Sequence, residues 1–288
     1  MFLPLFSLNK MKKKIIIPTV VFILIGATCF LYPAVSNLIN NIFNESKINE
    51  YNTNTDTMTN AEINDIYKKA QEYNKAVSMD YYTDNTYEEI LSQYNDIMNF
   101  GDGLIGYIEI PKISVKLPVY HGESEEILQK GAAHLEQTSF PIGGVNTHAC
   151  ISAHSGYPTQ KFFDDLDELK TGDMIYIHIL AQTLTYKVYK TDIVKPSDTE
   201  QLNIVNDKDI LTLITCTPYG INSHRLLVHA ERTLYNDEHQ VSVENEKEGD
   251  NNFVVTVLLI CFIFFSVGLI LIIYIINRHK LKSKAGEL

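Results

Sequence analysis

Two long hydrophobic segments without charges stand near the two ends of the 288-residue chain. The first covers 15–35 and the second covers 253–276. At about 1.5 Å per helical residue, each is long enough to cross a hydrocarbon layer of about 30 Å. The pattern predicts a transmembrane helix or signal anchor near the N-terminus and a second transmembrane helix near the C-terminus. A cleaved signal peptide is the alternative for the first segment.

Basic residues flank both segments on the side of the nearer terminus. The N-terminal stretch 1–14 carries four lysines, and the tail 277–288 carries three lysines and Arg278. Because basic flanks mark the cytoplasmic side, we expect both termini in the cytoplasm and the middle of the chain outside the cell. The formal net charge is −11, so the acidic excess lies in that outer part. Such acidity argues against a nucleic-acid partner.

Polar stretches separate the predicted spans from the part of the chain that should fold. Residues 36–57 are rich in Asn, Thr and Ser and are interpreted as a polar spacer. Residues 233–252 are polar and acidic and are interpreted as a stalk. The folded domain is therefore expected between residues 58 and 232.

Residues 58–103 show the period of an amphipathic helix and predict a helical region. The second of its two helices should begin at Thr86, whose hydroxyl and the Glu89 side chain form a capping box. The apolar stripes of the two helices contain Ile63, Ile66, Tyr67, Ala70, Tyr73 and Val77 in the first, and Tyr87, Ile90, Leu91, Tyr94 and Ile97 in the second.

From Leu104 onward the apolar residues alternate with a period of two, which is typical of strands. The predicted strands cover 105–110, 115–120, 149–153, 174–180, 184–190, 210–215 and 226–231. Seven or eight short strands with few helices predict a mainly β domain over 104–232, built as a closed or nearly closed barrel.

Two of the four cysteines, Cys29 and Cys261, lie inside the hydrophobic segments, which leaves Cys150 and Cys216 in the outer domain. A disulfide between these two is one interpretation in an oxidising compartment. Cys216 ends an apolar strand directly before a turn, a position where functional side chains are commonly exposed. Cys150 falls within a strand and is expected to pack in the sheet.

Arg225 and His154 are the candidate partners of the Cys216 thiol. Arg225 opens the next strand, and a guanidinium there can hold a substrate carbonyl and stabilise an oxyanion. A surface salt bridge is its alternative role. His154 ends its own strand before a turn, and an imidazole beside a thiol raises the thiolate fraction. The other histidines weighed for this role are His121, His134, His148, His178, His224 and His229.

Metal and serine-hydrolase chemistry receive no support from the sequence. The chain contains no HExxH and no CxxC pattern, so a metal site has little support. It also contains no GxSxG motif of the kind that carries a nucleophilic serine.

Four segments together resemble a class C sortase, the pilin-polymerising type. They are IGYIEIPKI at 105–113, LPVYHGESEEILQKGAAHLEQTSFPIGG at 117–144, ISAHSGYP at 151–158 and TLITCTPYGINSHRLLVHAER at 212–232. The resemblance implies a closed eight-stranded sortase β-barrel with an N-terminal helical subdomain, flanked by two transmembrane helices. It also implies a membrane-anchored cysteine transpeptidase of Gram-positive bacteria that uses no cofactor.

The resemblance further implies roles for the candidate residues. Cys216 would attack the Thr–Gly bond of an LPXTG-like sorting signal and form a thioacyl enzyme. His154 would act as general acid and base, and Arg225 would position the signal and stabilise the oxyanion. The partners are then a pilin or surface protein that carries the signal, a second pilin that supplies a lysine amine, and the cell membrane.

Two other functions stay open at this stage. The first is a sortase that attaches surface proteins to the peptidoglycan cross-bridge, with the same acylation step and a different amine. The second is a catalytically silent, membrane-anchored scaffold for surface assembly.

Class C sortases commonly carry a lid of the Asp-Pro-aromatic type, and here the break between the two predicted helices offers Asp80, Tyr81 and Tyr82. By analogy, Asp80 would pair with Arg225 and Tyr82 would cover Cys216. Tyr81 replaces the expected proline, so the segment lacks the ring that restricts the backbone. An ordinary interhelical loop is the alternative interpretation.

The lid hypothesis predicts that Asp80→Ala and Tyr82→Ala each accelerate reaction of the Cys216 thiol with a small alkylating reagent, because the thiol loses its cover. The measurement is the labelling rate of the folded protein, together with the rate of sorting-peptide hydrolysis. Wild-type rates in both variants would show that the segment is an ordinary loop.

Overall fold

A computed structural model of the chain describes residues 5–78, 89–90, 92–180, 182–234 and 266. The chain divides into two units, one of Met1–Leu38 with Val241–Leu288 and the other of Ile39–Gln240. The predicted lid residues Asp80 and Tyr82 lie outside the described residues. The same holds for the stalk beyond residue 234 and, apart from Ser266, for the second hydrophobic segment.

The chain begins with a long helix, α1, at Leu5–Asp56. Within the described residues, its part Val21–Asp56 is the one helix that is long and apolar enough to cross a membrane. A signal sequence near the N-terminus also meets this criterion of length and composition, so the helix fits both interpretations of the first segment. The prediction of two transmembrane helices is not confirmed, since the second segment lies outside the described residues.

Residues 36–56 continue α1 as helix, although the sequence analysis interprets this region as a polar spacer. Four of its side chains are buried, and they recur at spacings of four, three and four residues: Asn44, Ile48, Tyr51 and Thr55. Such spacing places them on one face of the helix. Because two of the four are polar, hydropathy does not reveal the stripe.

Helix α2 at Asn60–Ser78 confirms the first predicted amphipathic helix. Thr59 and Glu62 form a capping box at its start: the Thr59 backbone N–H donates to Glu62 Oε2 at 2.8 Å, and the Glu62 N–H donates to Thr59 Oγ1 at 3.3 Å. Asn74 ties α2 to the domain, since its side chain exchanges two hydrogen bonds with the backbone of Phe140, at 2.6 and 3.0 Å. Of the second predicted helix, only fragments lie within the described residues.

Eight strands form a closed barrel in the order β1-β2-β3-β4-β7-β8-β6-β5. Their bounds are β1 Leu104–Ile110, β2 Val115–His121, β3 Ala132–His134, β4 Thr147–Ser152, β5 Met174–Ile179, β6 Gln182–Val194, β7 Asp209–Thr217 and β8 His224–Thr233. Helix α3, at Glu125–Leu128, connects β2 to β3. Short 3₁₀ turns lie at Tyr94–Asp96, Pro111–Ile113, Leu166–Glu168 and Glu200–Leu202.

The closed eight-stranded barrel and all seven predicted strands are confirmed. The sequence analysis misses β3, because three residues are too few to establish a period of two. Strand β7 pairs in parallel with β4 and antiparallel with β8, so it has both neighbours along its length.

Alternating residues of β4, β7 and β8 point to opposite faces of the barrel wall, as strand geometry requires. The main core inside the barrel contains Ala149, Ile151, Ala153, Leu211, Leu213, Leu226, Val228 and Ala230. A separate cluster contains the residues of opposite parity, Cys150, Ile214 and Leu227. The even positions of β4 and β7 and the odd positions of β8 therefore face outward.

Tyr51 provides a test of the contact between α1 and the barrel. Its hydroxyl accepts a hydrogen bond from the Leu180 backbone N–H at 2.6 Å, and its side chain is buried. Tyr51→Phe removes the acceptor and leaves that N–H unsatisfied, so we expect a loss of about 1–3 kcal/mol in the free energy of unfolding. Asn54→Ala, on the exposed side of the same helix, should change it by less than about 0.5 kcal/mol. Denaturant unfolding of the full-length protein in detergent measures both, and equal stability of the two variants would contradict the contact.

Candidate active site

Cys216 and Arg225 lie directly opposite each other on neighbouring strands. The antiparallel register of β7 and β8 makes their Cα atoms partners. Both residues have the parity of the outward face, so their side chains leave the barrel wall on the same side. Directly opposed residues have Cβ atoms about 5 Å apart, close enough for the guanidinium to act on a group bound at the thiol.

His154 follows β4, the other strand that pairs with β7, and lies near Cys216. Ser152 is the partner of Ile214 in the parallel register of β4 and β7. The pairing continues past the end of β4, because the Ala153 N–H donates to the Ile214 carbonyl at 3.1 Å and the Thr215 hydroxyl donates to the Ala153 carbonyl at 2.8 Å. The next residue, His154, is thereby placed beside Cys216 with outward parity.

Aromatic rings hold the His154 imidazole in place. Tyr157 stacks on it with ring centroids 5.2 Å apart and an interplanar angle of 10°. Phe162 packs edge-on at 6.1 Å. Glu125 of α3 approaches from another direction, with Oε1 3.5 Å from His154 Nε2. The imidazole therefore has a restricted orientation while its side chain stays 23% exposed.

The loop after His154 is fixed by hydrogen bonds and by a close approach to the loop after Cys216. Both carboxylate oxygens of Asp164 accept backbone N–H groups at 2.9 Å, one from Gly156 and one from Phe162. Gly156 has φ +74°, and a Cβ there would lie 3.0 Å from the ring of Tyr219. A glycine is needed here for both reasons. The two loops that border the thiol therefore support each other.

Arg225 keeps its charge available. Its Nη1 donates to two backbone carbonyls of its own turn, those of Asn222 at 3.3 Å and His224 at 3.1 Å. Over the described part of the chain, no carboxylate lies within ion-pair distance of this guanidinium, so the alternative of a surface salt bridge has no support there. A permanent positive charge beside Cys216 can stabilise an oxyanion formed next to the thiol.

The chain is similar to a known protein family and to solved structures. The sortase domain family matches residues 108–233. The crystal structure of sortase C1 from Streptococcus agalactiae is 42% identical to this chain, covers 66% of it and 100% of its own chain, and superposes with a TM-score of 0.62. The chain belongs to the sortase family.

Two further relatives refine this assignment. Sortase C from Clostridium perfringens, solved with the C-terminal cell wall sorting motif, is 43% identical, with coverage of 66% of this chain and 99% of its own, and a TM-score of 0.59. Sortase D from Bacillus subtilis is 30% identical over 130 residues, and this chain spans 63% of its length. The two solved relatives are class C enzymes, and the resemblance to class C seen in the sequence is confirmed.

The second outer cysteine of this sortase is a core residue. Cys150 is fully buried, free and packed with Ile214 and Leu227, and burial raises the pKa of its thiol. Its register partner on β7 is Thr212, four residues from Cys216, which corresponds to about 13 Å along the strand. A disulfide requires Cα atoms within about 7 Å, so the disulfide interpretation is wrong.

Most of the other histidines in the sortase domain are structural. Burial lowers the pKa of His134 to about 3 and that of His229 to about 4, and it also lowers the pKa values of His121 and His148. The His121 ring faces the carbonyls of Gly103 and Ile97. Among the described residues, no three His, Cys, Asp or Glu side chains are grouped as metal ligands would be.

The sequence analysis misses the residues that surround His154. Tyr157 and Phe162 follow it closely in the chain, and the SGYP turn is a signal for the first of them. Glu125 lies 29 positions earlier, in the GESEEIL stretch, and nothing local marks it. The Asp80–Tyr82 lid stays a prediction, because those residues lie outside the described part of the structure.

The different environments of the two outer thiols give a prediction for the sortase. At neutral pH a small alkylating reagent should modify Cys216 and leave Cys150 unmodified, because the Cys150 thiol is buried and its pKa is raised. Peptide mass mapping after brief treatment of the folded protein measures this, with Cys216→Ala as the control that abolishes the outer-domain label. Unfolded protein should react at both positions. Equal labelling in the folded state would contradict the assignment.

Proposed function

We propose that this protein is a membrane-anchored transpeptidase that cleaves LPXTG-like sorting signals and joins the released acyl group to a lysine amine of a pilin subunit. The observation that carries the proposal is the register of β4, β7 and β8. In that register Cys216 is the Cα partner of Arg225, and β4 leads past Ser152 to His154 beside β7, with the same outward parity, which supports a joint role for the three residues. A thiol nucleophile, a proton carrier and an oxyanion donor are the parts that acyl transfer needs.

The first half-reaction forms a thioester. The Cys216 thiolate attacks the threonine carbonyl of the signal, and Arg225 donates hydrogen bonds to the oxyanion that develops there. The Thr–Gly amide bond then breaks, and the His154 imidazolium gives its proton to the departing glycine amine. The enzyme is left as an acyl-thioester with a neutral imidazole.

The second half-reaction transfers the acyl group. The neutral amine of a pilin lysine attacks the thioester carbonyl, and the C–S bond breaks to restore the Cys216 thiolate. His154 takes the proton that the amine loses, which restores the imidazolium. The product is an isopeptide bond. Protons and charges balance over the cycle without a cofactor.

Similar proteins and the N-terminal helix both support this proposal. Class C relatives match the chain over two thirds of its length, and one of them was solved with a sorting motif. The apolar helix near the N-terminus fits an anchor that holds the domain at the membrane. We infer that both termini lie in the cytoplasm and that the barrel lies outside the cell, from the basic flanks of both hydrophobic segments.

The choice of amine separates pilin polymerisation from attachment to the peptidoglycan cross-bridge, and acylation separates both from a silent scaffold. With an LPXTG-type peptide, we expect a mass adduct on Cys216 of the full-length protein in detergent. Cys216→Ala should form no adduct. Arg225→Lys keeps the charge without the donor fork, so we expect acylation at least about tenfold slower.

In the same assay, a pilin domain with an accessible lysine and a cross-bridge peptide compete for the acyl-enzyme. The proposal predicts that the pilin product predominates. Predominance of the cross-bridge product would redirect the assignment to cell-wall anchoring. Folded protein that forms no adduct would support the scaffold instead.

A further inference from the structure

Glu125 is an acidic residue in contact with the imidazole of His154. Its Oε1 lies 3.5 Å from His154 Nε2. That nitrogen is buried, and no group in the described part of the chain forms a hydrogen bond with it. A charge-assisted N–H···O bond is about 2.8 Å long, so a shift of about 0.7 Å would complete it. The nitrogen without a hydrogen bond, His154 Nε2, and the carboxylate oxygen Glu125 Oε1 are therefore neighbours.

The fold explains why these two residues meet. Strand β3 runs antiparallel to β4, with Ala133 opposite Ser152. The end of β4 that leads to His154 therefore lies beside the start of β3, and α3 stands immediately before that start. Ser124 caps α3, its hydroxyl accepting the Ile127 N–H at 3.4 Å. The position of Glu125 is thus set by the barrel topology.

Neighbouring side chains hold the Glu125 carboxylate without neutralising it. The Gln129 side-chain amide donates to Glu125 Oε1 at 3.1 Å. Lys130, the adjacent cation, is paired with Glu126 at 2.7 Å instead. These contacts hold the Glu125 carboxylate beside His154 without pairing it with a cation.

The other charged and titratable groups around His154 make different contacts. Tyr157 covers one face of the ring. The Asp164 carboxylate accepts two backbone N–H groups of the following loop. Cys216 and Arg225 stand on the β7 and β8 side. This distribution leaves Glu125 as the carboxylate in contact with the imidazole among the described residues.

We propose that Glu125 is a positioning residue for His154, which accepts the Nε2–H and so orients the ring with Nδ1 left for the thiol and the departing amine. The inference rests on the transpeptidase function proposed above. A nucleophile and a base whose ring is oriented by a third group form a recurring arrangement in covalent catalysis.

Glu125→Gln and Glu126→Gln form a matched pair for the test. Each removes one negative charge from the same turn of α3, and only the first contacts His154. We expect Glu125→Gln to slow acylation by an LPXTG-type peptide by about twofold to fivefold, as the exposure of this carboxylate limits the effect. Glu125→Asp, which keeps the carboxylate, should recover part of the lost rate. Glu126→Gln should acylate at the wild-type rate.

A second readout needs no substrate. In the full-length protein in detergent, the His154 ring nitrogen signals, assigned with a His154→Asn variant, are recorded by NMR at one fixed pH. The Nε2 signal should differ between Glu125→Gln and Glu126→Gln, because only the first variant changes the group that faces Nε2. If no peptide acylates the wild type, the proposed function fails, and this comparison still decides the role of Glu125. Identical ring signals in the two variants would overturn the inference.

Discussion

The position of β7 between β4 and β8 is the constraint on which the site depends. Each candidate catalytic side chain of this sortase comes from a different strand or strand end, and only the hydrogen-bonded register brings them to one level. A slip of one residue would turn the whole outward set inward. The register is held from the other face, where Leu211, Leu213 and Val228 are fully buried in the barrel core. The chemistry outside the barrel is thus positioned by packing inside it.

Hydrogen bonds also hold the end of α1 and helix α2 against the outside of the barrel. Tyr51 and Asn74 fasten α1 and α2 through hydrogen bonds to backbone groups, where a purely apolar contact would leave buried polar atoms unsatisfied. His134 contributes to this joint, because its Nε2 donates to the Ser139 carbonyl at 2.8 Å and its ring stacks on Phe140. Such directional contacts fix α2 and the part of α1 after Leu38 at a single position on the barrel, which apolar packing alone specifies less strictly.

Sequence alone predicts the elements with a strong period and the residues at their ends. The apolar run of β7 and its stop at the TPYG turn predict that Cys216 is accessible at a strand end, and the structure shows its side chain half-buried. The same reasoning and outcome apply to His154. The contact with Glu125 could not be predicted, because it depends on the pairing of the three-residue strand β3, which has no detectable period. The helical course of 36–56 was missed for a different reason. Its buried stripe contains Asn44 and Thr55, whose burial depends on tertiary contacts that hydropathy does not register.

The charges around the thiol serve two different groups. The proposed acyl transfer uses positive charge at the oxyanion beside Cys216 and an acceptor at the ring of His154, and these two residues are neighbours. The fold separates the two contacts by direction: Arg225 lies opposite Cys216 on the β7–β8 ladder, and the Glu125 carboxylate contacts His154 from the β3 side. Because Coulomb energy falls with distance, each charge acts mainly on the group nearest to it.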